Sequence, residues 1–584
     1  MNSTNHSKPL THPVLEQYFP VISWLRSYSR QDLHGDIIAG IITAILLIPQ
    51  AIAYAMLADL PPQLGLYASI LPPLIYVLLG TSRTMSVGPV SIAAIMIASA
   101  LTTPEIAELG SPVESAVILA MEGGLILLFM ALLRMGGLVN FISHPVLTGF
   151  TTGAAILIIF SQLPHLMGIA KPQCELDATC YVQSLSQFNP YTLALGLGSL
   201  FILLLFAKGM TPLLKKWSLP SPIIMAVSKS APLIVVIVTT ILATHFDLSE
   251  NHNVKIIGAI PAGLPTLNFD FLISDKWRLL LPYAGFIALI AYVESVAIAK
   301  VTAMMRNQRI DANQELIALG GCNIVSAISG GMSVAGGFSR TMVNYSAGAR
   351  TQMAMLIAIF ILSLAVIFFT DWFALIPKVT LAAIILIAIY PLVKIKNIYH
   401  TWSYDRDDGI AELATFLGVL FLGIEQGLML GILFTIAATL RKTSQPHIAV
   451  VGRIPNTDHY RNIKRHQTET WDNLLLIRID ENITFSNIGF IEDFLINELT
   501  SHKNLEHIVF ILTSVSHIDT TALEALENIK QSLEKQGITL HLAEVKGPVL
   551  DKLEQSRFLE QLKPGLVFFS THEAVDRLTK DLQG

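Results

Sequence analysis

The sequence predicts a polytopic α-helical membrane protein that ends in a small α/β domain. Three observations carry this. Hydrophobic residues make up 52% of the 584 and charged residues only 14%, where a soluble domain has about a quarter charged. Mean hydropathy is +0.58. The apolar residues are also segregated: Asp36 to Leu440 is a succession of long apolar stretches, whereas from Thr443 onward charges recur every few residues. A wholly soluble protein is excluded, and so is a disordered chain, which would be polar and charge-rich. The net charge of −5 leaves no basic footprint for nucleic acid. The expected domains are a cytoplasmic segment 1–35, a transmembrane domain 36–440 and a cytoplasmic domain 441–584.

A spanning helix needs about 20 apolar residues. Candidates are 36–58, 64–80, 87–102, 114–135, 145–168, 191–207, 220–245, 277–299, 313–330, 335–350, 352–370, 374–393, 408–423 and 425–440. That makes fourteen, of which 87–102 and 335–350 are rich in Gly, Ser and Pro. The first 30 residues have no apolar core of the signal-peptide kind, so the first span is expected to insert the chain.

Orientation follows from Lys and Arg in short loops. With the N-terminus inside, Arg83, Arg134, Lys208, Lys300, Arg306, Arg309, Arg350, Lys394 and Arg441 fall on the cytoplasmic side, against few opposite. Both termini are therefore expected in the cytoplasm, with the inner membrane of a bacterium as location. The loop holding Cys174 and Cys180 falls outside, where two cysteines either bridge or stay free. Cys322 sits in an apolar run and reads as a packed small residue.

Two interrupted helices point at a site. Ser86-Val87-Gly88-Pro89-Val90-Ser91 opens the third span, and Ser333-Val334-Ala335-Gly336-Gly337-Phe338-Ser339 opens the tenth. They lie seven spans apart, so the two halves enter the membrane with opposite polarity, as in an inverted repeat. A helix that starts inside hydrocarbon must line a cavity or be covered by protein. Its first N–H groups are free and its dipole puts partial positive charge there. Two such starts facing each other form an anion site. Glu294 lies in the otherwise apolar eighth span, and Arg340 follows Ser339. A charge at mid-bilayer costs about 2.5–3.5 kcal/mol on insertion scales and so faces a cavity or a partner. Arg340 could hold an anion through its planar fork; the plainer alternative is that Glu294 and Arg340 neutralise each other. Neither half carries a nucleophile–base pair, a metal cluster or a cofactor motif, so an enzyme is not expected.

In the polar tail, Leu474–Ile479, His507–Leu512 and Ile538–Leu542 read as strands, with helical patterns near 487–501, 521–535 and 547–555 between them. Alternation of this kind predicts a small α/β layer.

These motifs resemble the sulfate permease family of anion transporters. The similarity runs through Asp36-Ile37-Ile38-Ala39-Gly40, Ile48-Pro49-Gln50-Ala51-Ile52-Ala53-Tyr54-Ala55 and Leu60-Pro61-Pro62-Gln63-Leu64-Gly65-Leu66-Tyr67-Ala68. It continues in Gly80-Thr81-Ser82-Arg83, Phe141-Ile142-Ser143-His144-Pro145, Asn313-Gln314-Glu315-Leu316 and Gly337-Phe338-Ser339-Arg340-Thr341. The resemblance implies seven-plus-seven inverted spans, a core of spans 1–4 and 8–11, a gate of spans 5–7 and 12–14, a cytoplasmic STAS domain, frequent dimers and elevator-like movement. It implies substrate contacts at Gln50, Tyr54, Gly88, Pro89, Phe338, Ser339 and Arg340, with Glu294 as the coupling residue. Sodium-coupled bicarbonate members tend to carry Asp at that position. Glu294 looks like the proton-coupled sulfate and dicarboxylate members. Ile518-Asp519-Thr520-Thr521-Ala522-Leu523 resembles the STAS signature; Thr521 sits where related proteins are phosphorylated, although capping of the helix by Asp519 and Thr520 explains the motif more simply.

The expected function is secondary active transport of a small oxyanion, most readily sulfate by proton symport. Bicarbonate, a C4-dicarboxylate, sodium coupling and uncoupled exchange or conduction are the alternatives. A receptor or scaffold with the STAS domain as output, bound to a cytosolic protein, ranks lower.

Overall fold

The computed structural model describes residue 16 and residues 18–580, apart from 109, 141–142, 170–187, 217–223, 225–226, 262 and 503. Cys174 and Cys180 lie outside the described residues. The chain divides into two compact units, Met1–Thr435 and Ile436–Gly584.

Helices stand where each of the fourteen spans is expected: Arg30–Leu57, Pro62–Leu79, Ser91–Thr102, Pro112–Leu132, His144–Met167, Pro190–Leu204, Ala231–His245, Trp277–Met304, Ala312–Ile328, Phe338–Ser346, Met353–Phe368, Lys378–Ile389, Arg406–Phe421 and Ile424–Ser444. They are spans 1 to 14 below. Among the described residues, eight helices are long and apolar enough to cross a membrane. Spans 3 and 10 have only 12 and 9 residues. At 1.5 Å per residue they reach about 18 and 14 Å, well short of the hydrocarbon layer of about 30 Å.

Each short helix is entered from a two-residue strand. β1 (Val87–Gly88) precedes span 3 and β2 (Ala335–Gly336) precedes span 10. They pair antiparallel, Val87 opposite Gly336 and Gly88 opposite Ala335. The backbone groups ahead of each half-helix, which hydrocarbon could not hydrogen-bond, thus satisfy one another. Two segments approaching from opposite sides and meeting head to head are the structural form of an inverted repeat.

Packing separates the spans into two sets. Span 4 packs on 8 and 9, span 9 on 2, and span 1 on 10 and 11; spans 5, 6, 12 and 13 pack mainly among themselves, and span 12 meets the first set at span 1. This is the core-and-gate division. Polar residues tie the core set together. The buried Asp36 carboxylate of span 1 accepts from Arg350 N at 2.6 Å, Thr351 N at 3.1 Å and Thr351 Oγ1 at 2.6 Å. Glu315 of span 9, fully buried, accepts from Tyr76 of span 2 and from Thr81. Asp36 and Glu315 act as internal mortar, each accepting from backbone N–H groups that would otherwise lack a partner.

The second unit is one sheet with helices on both faces. Its strands are β3 (Ile448–Arg453), β4 (Tyr460–Asn462), β5 (Leu474–Ile479), β6 (His507–Ile511), β7 (Thr539–Ala543) and β8 (Val567–Phe568), in the order β4-β3-β5-β6-β7-β8. Neighbours from β5 to β8 are parallel. Along β5, Leu475, Ile477 and Ile479 join the core beneath helices Ile488–Ser501, Thr520–Lys535 and Gly547–Gln555. Leu474 and Leu476 join a second core on the opposite face, closed by helix Thr571–Lys580. Burial on both faces explains why β5 reads as an unbroken apolar run. β3, β4, β8 and the last helix were not expected. β8 is two residues long, and Gly452 breaks the apolar run of β3.

Candidate functional site

Around β1 and β2 the core set holds a polar framework. Gly336 N donates to Ser295 Oγ of span 8 at 2.8 Å. Val334 N donates to Asn323 Oδ1 of span 9 at 2.9 Å, and Asn323 Nδ2 returns the bond to Val334 O. Ser86 N donates to Thr341 Oγ1, Asn344 Nδ2 to Thr84 O, and Gln352 Nε2 to Ser82 O and Met85 O. These positioning residues were missed in the sequence. Their signal was there: Ser, Asn and Gln in apolar spans need partners.

The two helix starts are bare. Val90 and Gly337 hold the N-cap positions of spans 3 and 10, and neither offers a side-chain cap. The first closed helical bonds are Ala94 N to Val90 O and Thr341 N to Gly337 O. The N–H groups of the first turn of both helices are thus left for another acceptor, with both dipoles converging on one place.

Arg340 sits at that place. It is 2% exposed, and its Nη1 donates to Pro89 O at 2.8 Å and lies 3.5 Å from Gln50 Oε1. Its Nε and Nη2 have no hydrogen-bond partner. A buried donor left unsatisfied costs about 1–3 kcal/mol, so two on one guanidinium mark a position built for an acceptor. The glycines make room for it. A Cβ on Gly337 would stand 2.8 Å from Arg340 Nη2, and one on Gly88 would stand 3.2 Å from the same atom.

Five of the other seven residues expected at the site surround Arg340. Gln50 and Tyr54 are buried on span 1. Gly88 and Pro89 flank the start of span 3. Glu294 precedes the β2-holding Ser295, and both Glu294 and Tyr54 are electrostatic neighbours of Arg340. Glu294 and Arg340 form no ion pair among the described residues, and Glu294 Oε2 has no hydrogen-bond partner. Phe338 and Ser339 lie in the same first turn of span 10 with exposed side chains. The arrangement can hold a small anion by a guanidinium fork and two helix starts, beside a carboxylate free to carry a proton.

Thr521 belongs to the second unit. It is an exposed residue in the first turn of helix Thr520–Lys535, whose N-cap is Asp519 alone: its carboxylate accepts from Ala522 N at 2.9 Å. Thr520 is the first helical residue and not a cap.

The sulfate permease family model matches residues 33–415, and the STAS domain model matches residues 465–574. The chain is similar to the probable sulfate transporter 3.4 of Arabidopsis thaliana, 31% identical over 97% of this chain and 88% of the relative. It is likewise similar to the high affinity sulfate transporter 2 of Stylosanthes hamata, 31% identical over 96% of this chain and 86% of the relative. Its fold matches murine Solute Carrier 26 family member A9, an anion transporter solved in the inward-facing state, with a TM-score of 0.84 at 21% identity, covering 98% of this chain and 96% of that one. With a family match over most of the membrane unit and full-length relatives above 30% identity, the chain belongs to the sulfate permease family and carries its C-terminal STAS domain.

Proposed function

We propose that this multi-pass membrane protein is a secondary active transporter of a small oxyanion, with sulfate as substrate and the proton as coupling ion. The observation that carries the reading is Arg340: a buried guanidinium with Nε and Nη2 unpartnered, beside two uncapped helix starts. The names of the relatives support sulfate as the anion. The anion binds Arg340 and the N–H groups of spans 3 and 10, with Gln50, Tyr54, Gly88, Pro89, Phe338 and Ser339 shaping the pocket. Glu294 takes the proton. A proton there removes a negative charge from beside the anion, so each ion favours the binding of the other. The core set then carries the site past the gate set in an elevator movement. The chain resides in the inner membrane of a bacterium as a dimer, with both termini cytoplasmic.

Uptake of labelled sulfate by proteoliposomes under an imposed pH gradient tests this. Glu294→Gln is expected to bind sulfate and to exchange it, but to lose accumulation driven by the gradient. Undiminished accumulation in that variant would overturn proton coupling through Glu294. Large anion currents without any gradient would favour uncoupled conduction instead.

A further inference from the structure

A second polar cavity lies in the same unit, built from residues none of which belongs to the site above. Its volume is about 480 Å³, and its walls include Trp24, Asp32, Arg83, Arg306, Gln308 and Arg350. The three arginines come from three different places: Arg83 from the loop leading to β1, Arg306 from the turn after span 8, and Arg350 from the turn between spans 10 and 11. One carboxylate faces them. Asp32 is already engaged, accepting from Ser29 in a capping box and from Arg350 Nη1 at 3.3 Å. Arg306 lies over the Tyr345 ring, its Cζ 4.6 Å from the centroid, which holds the guanidinium without neutralising it. Neither Arg83 nor Arg306 has a carboxylate partner among the described residues. Trp24, 3% exposed, closes one wall.

The cavity thus has a surplus of donors and of positive charge, and its one acid is spent on a helix cap and an ion pair. We propose that it binds a tetrahedral oxyanion carried on a larger group, a phosphate or sulfate ester. Planar guanidinium forks from several directions suit such an anion. The cavity opens to solvent and is several times larger than a bare oxyanion, so it has room for the organic moiety of an ester. Two sources share this chemistry, the headgroup of an anionic phospholipid and a soluble phosphate ester. Binding has a route to transport. Arg83 lies in the segment whose Ser82 and Met85 carbonyls are held by Gln352, and that segment runs straight into β1. An anion that draws Arg83, Arg306 and Arg350 together ties the segment entering span 3 to the turn that follows span 10 and to the end of span 8, which makes the cavity a regulatory site.

The test uses the full-length protein in nanodiscs and reads its thermal unfolding midpoint. One arm compares phosphatidylcholine alone with phosphatidylcholine containing phosphatidylglycerol. The other titrates adenosine 5′-monophosphate into phosphatidylcholine discs. A rise in midpoint is expected in one arm, and that arm identifies the source. Arg83→Gln and Arg306→Gln should each weaken the response about tenfold or more, the loss expected for one charge-assisted bond. Arg340→Gln should leave it intact, which separates this cavity from the transport site. If Arg83→Gln does not fold, Arg306→Gln carries the test. No response in either arm, or a response that survives both Arg83→Gln and Arg306→Gln, overturns the proposal.

Discussion

Two helix starts in this molecule are made of opposite materials. The helix Thr520–Lys535 of the soluble unit begins at Asp519, whose carboxylate takes Ala522 N with one oxygen and Phe485 N with the other. Span 10 begins at Gly337, which has no side chain to offer. The first end is finished by the chain itself; the second is left open, as the proposed anion site requires. The same contrast runs through the two units. Among the described residues, the buried side-chain polar atoms without a partner lie in the membrane unit, with Asn473 Nδ2 alone in the soluble one. A fold that satisfies its own donors is built to persist. Donors left open around one point are built to bind, at a cost the fold carries while it waits.

The comparison can be broken most severely at Arg340. Arg340→Gln removes two unpartnered donors and their charge, and sulfate binding is expected to fall at least about a hundredfold, with each charge-assisted bond contributing about 1.5–3 kcal/mol. Equilibrium binding of labelled sulfate to the purified protein measures it. Affinity within a factor of a few of the original would mean that the helix starts alone hold the anion.

The next effect belongs to the soluble unit. His541 is 2% exposed; its Nδ1 accepts from Leu566 N at 3.1 Å and its Nε2 lies 3.2 Å from His507 Nδ1. Burial, helped by the charge of His507, pushes the His541 imidazole down to about 4. The unfolded chain, with an ordinary value of about 6.5, takes up that proton first. Stability is therefore complete above about pH 6.5 and is lost as the pH falls toward 4, by on the order of 2–3 kcal/mol. Denaturant unfolding of residues 441–584 across that range should show the slope, and His541→Phe should flatten it. Equal slopes in the two proteins would place the effect elsewhere.

The smallest effect sharpens the contrast directly. Asp519→Ala should cost the soluble unit about 1 kcal/mol, the usual loss of a helix cap, and leave sulfate affinity untouched. Denaturant midpoints and sulfate binding, measured side by side, check both halves of that statement.

Much of this was legible in the sequence because membrane and water impose different compositions. The long spans follow from apolar length, and the candidate site follows from Gly-Pro and Gly-Gly interruptions beside Arg340 and Glu294. What could not be read is pairing. Nothing in Ser86–Pro89 or Ser333–Gly337 names the other segment as its strand partner, since two residues are too few to show a period. Nor does Arg340 announce that Pro89 O, and not Glu294, is its near neighbour; that depends on the turn of a helix around its axis. The helix Thr571–Lys580 shares the difficulty at smaller scale, with Ala574, Val575 and Leu578 its buried apolar residues along a largely polar stretch.

The ladder between β1 and β2 has a mechanical consequence. Two hydrogen-bonded residues on each side make spans 3 and 10 a single strut, so a load on either half-helix reaches both. The guanidinium that donates to Pro89 O is tied to that strut. In the elevator movement proposed above, the grip on the anion would therefore cross with the strut as one piece, and only the solution it faces would change.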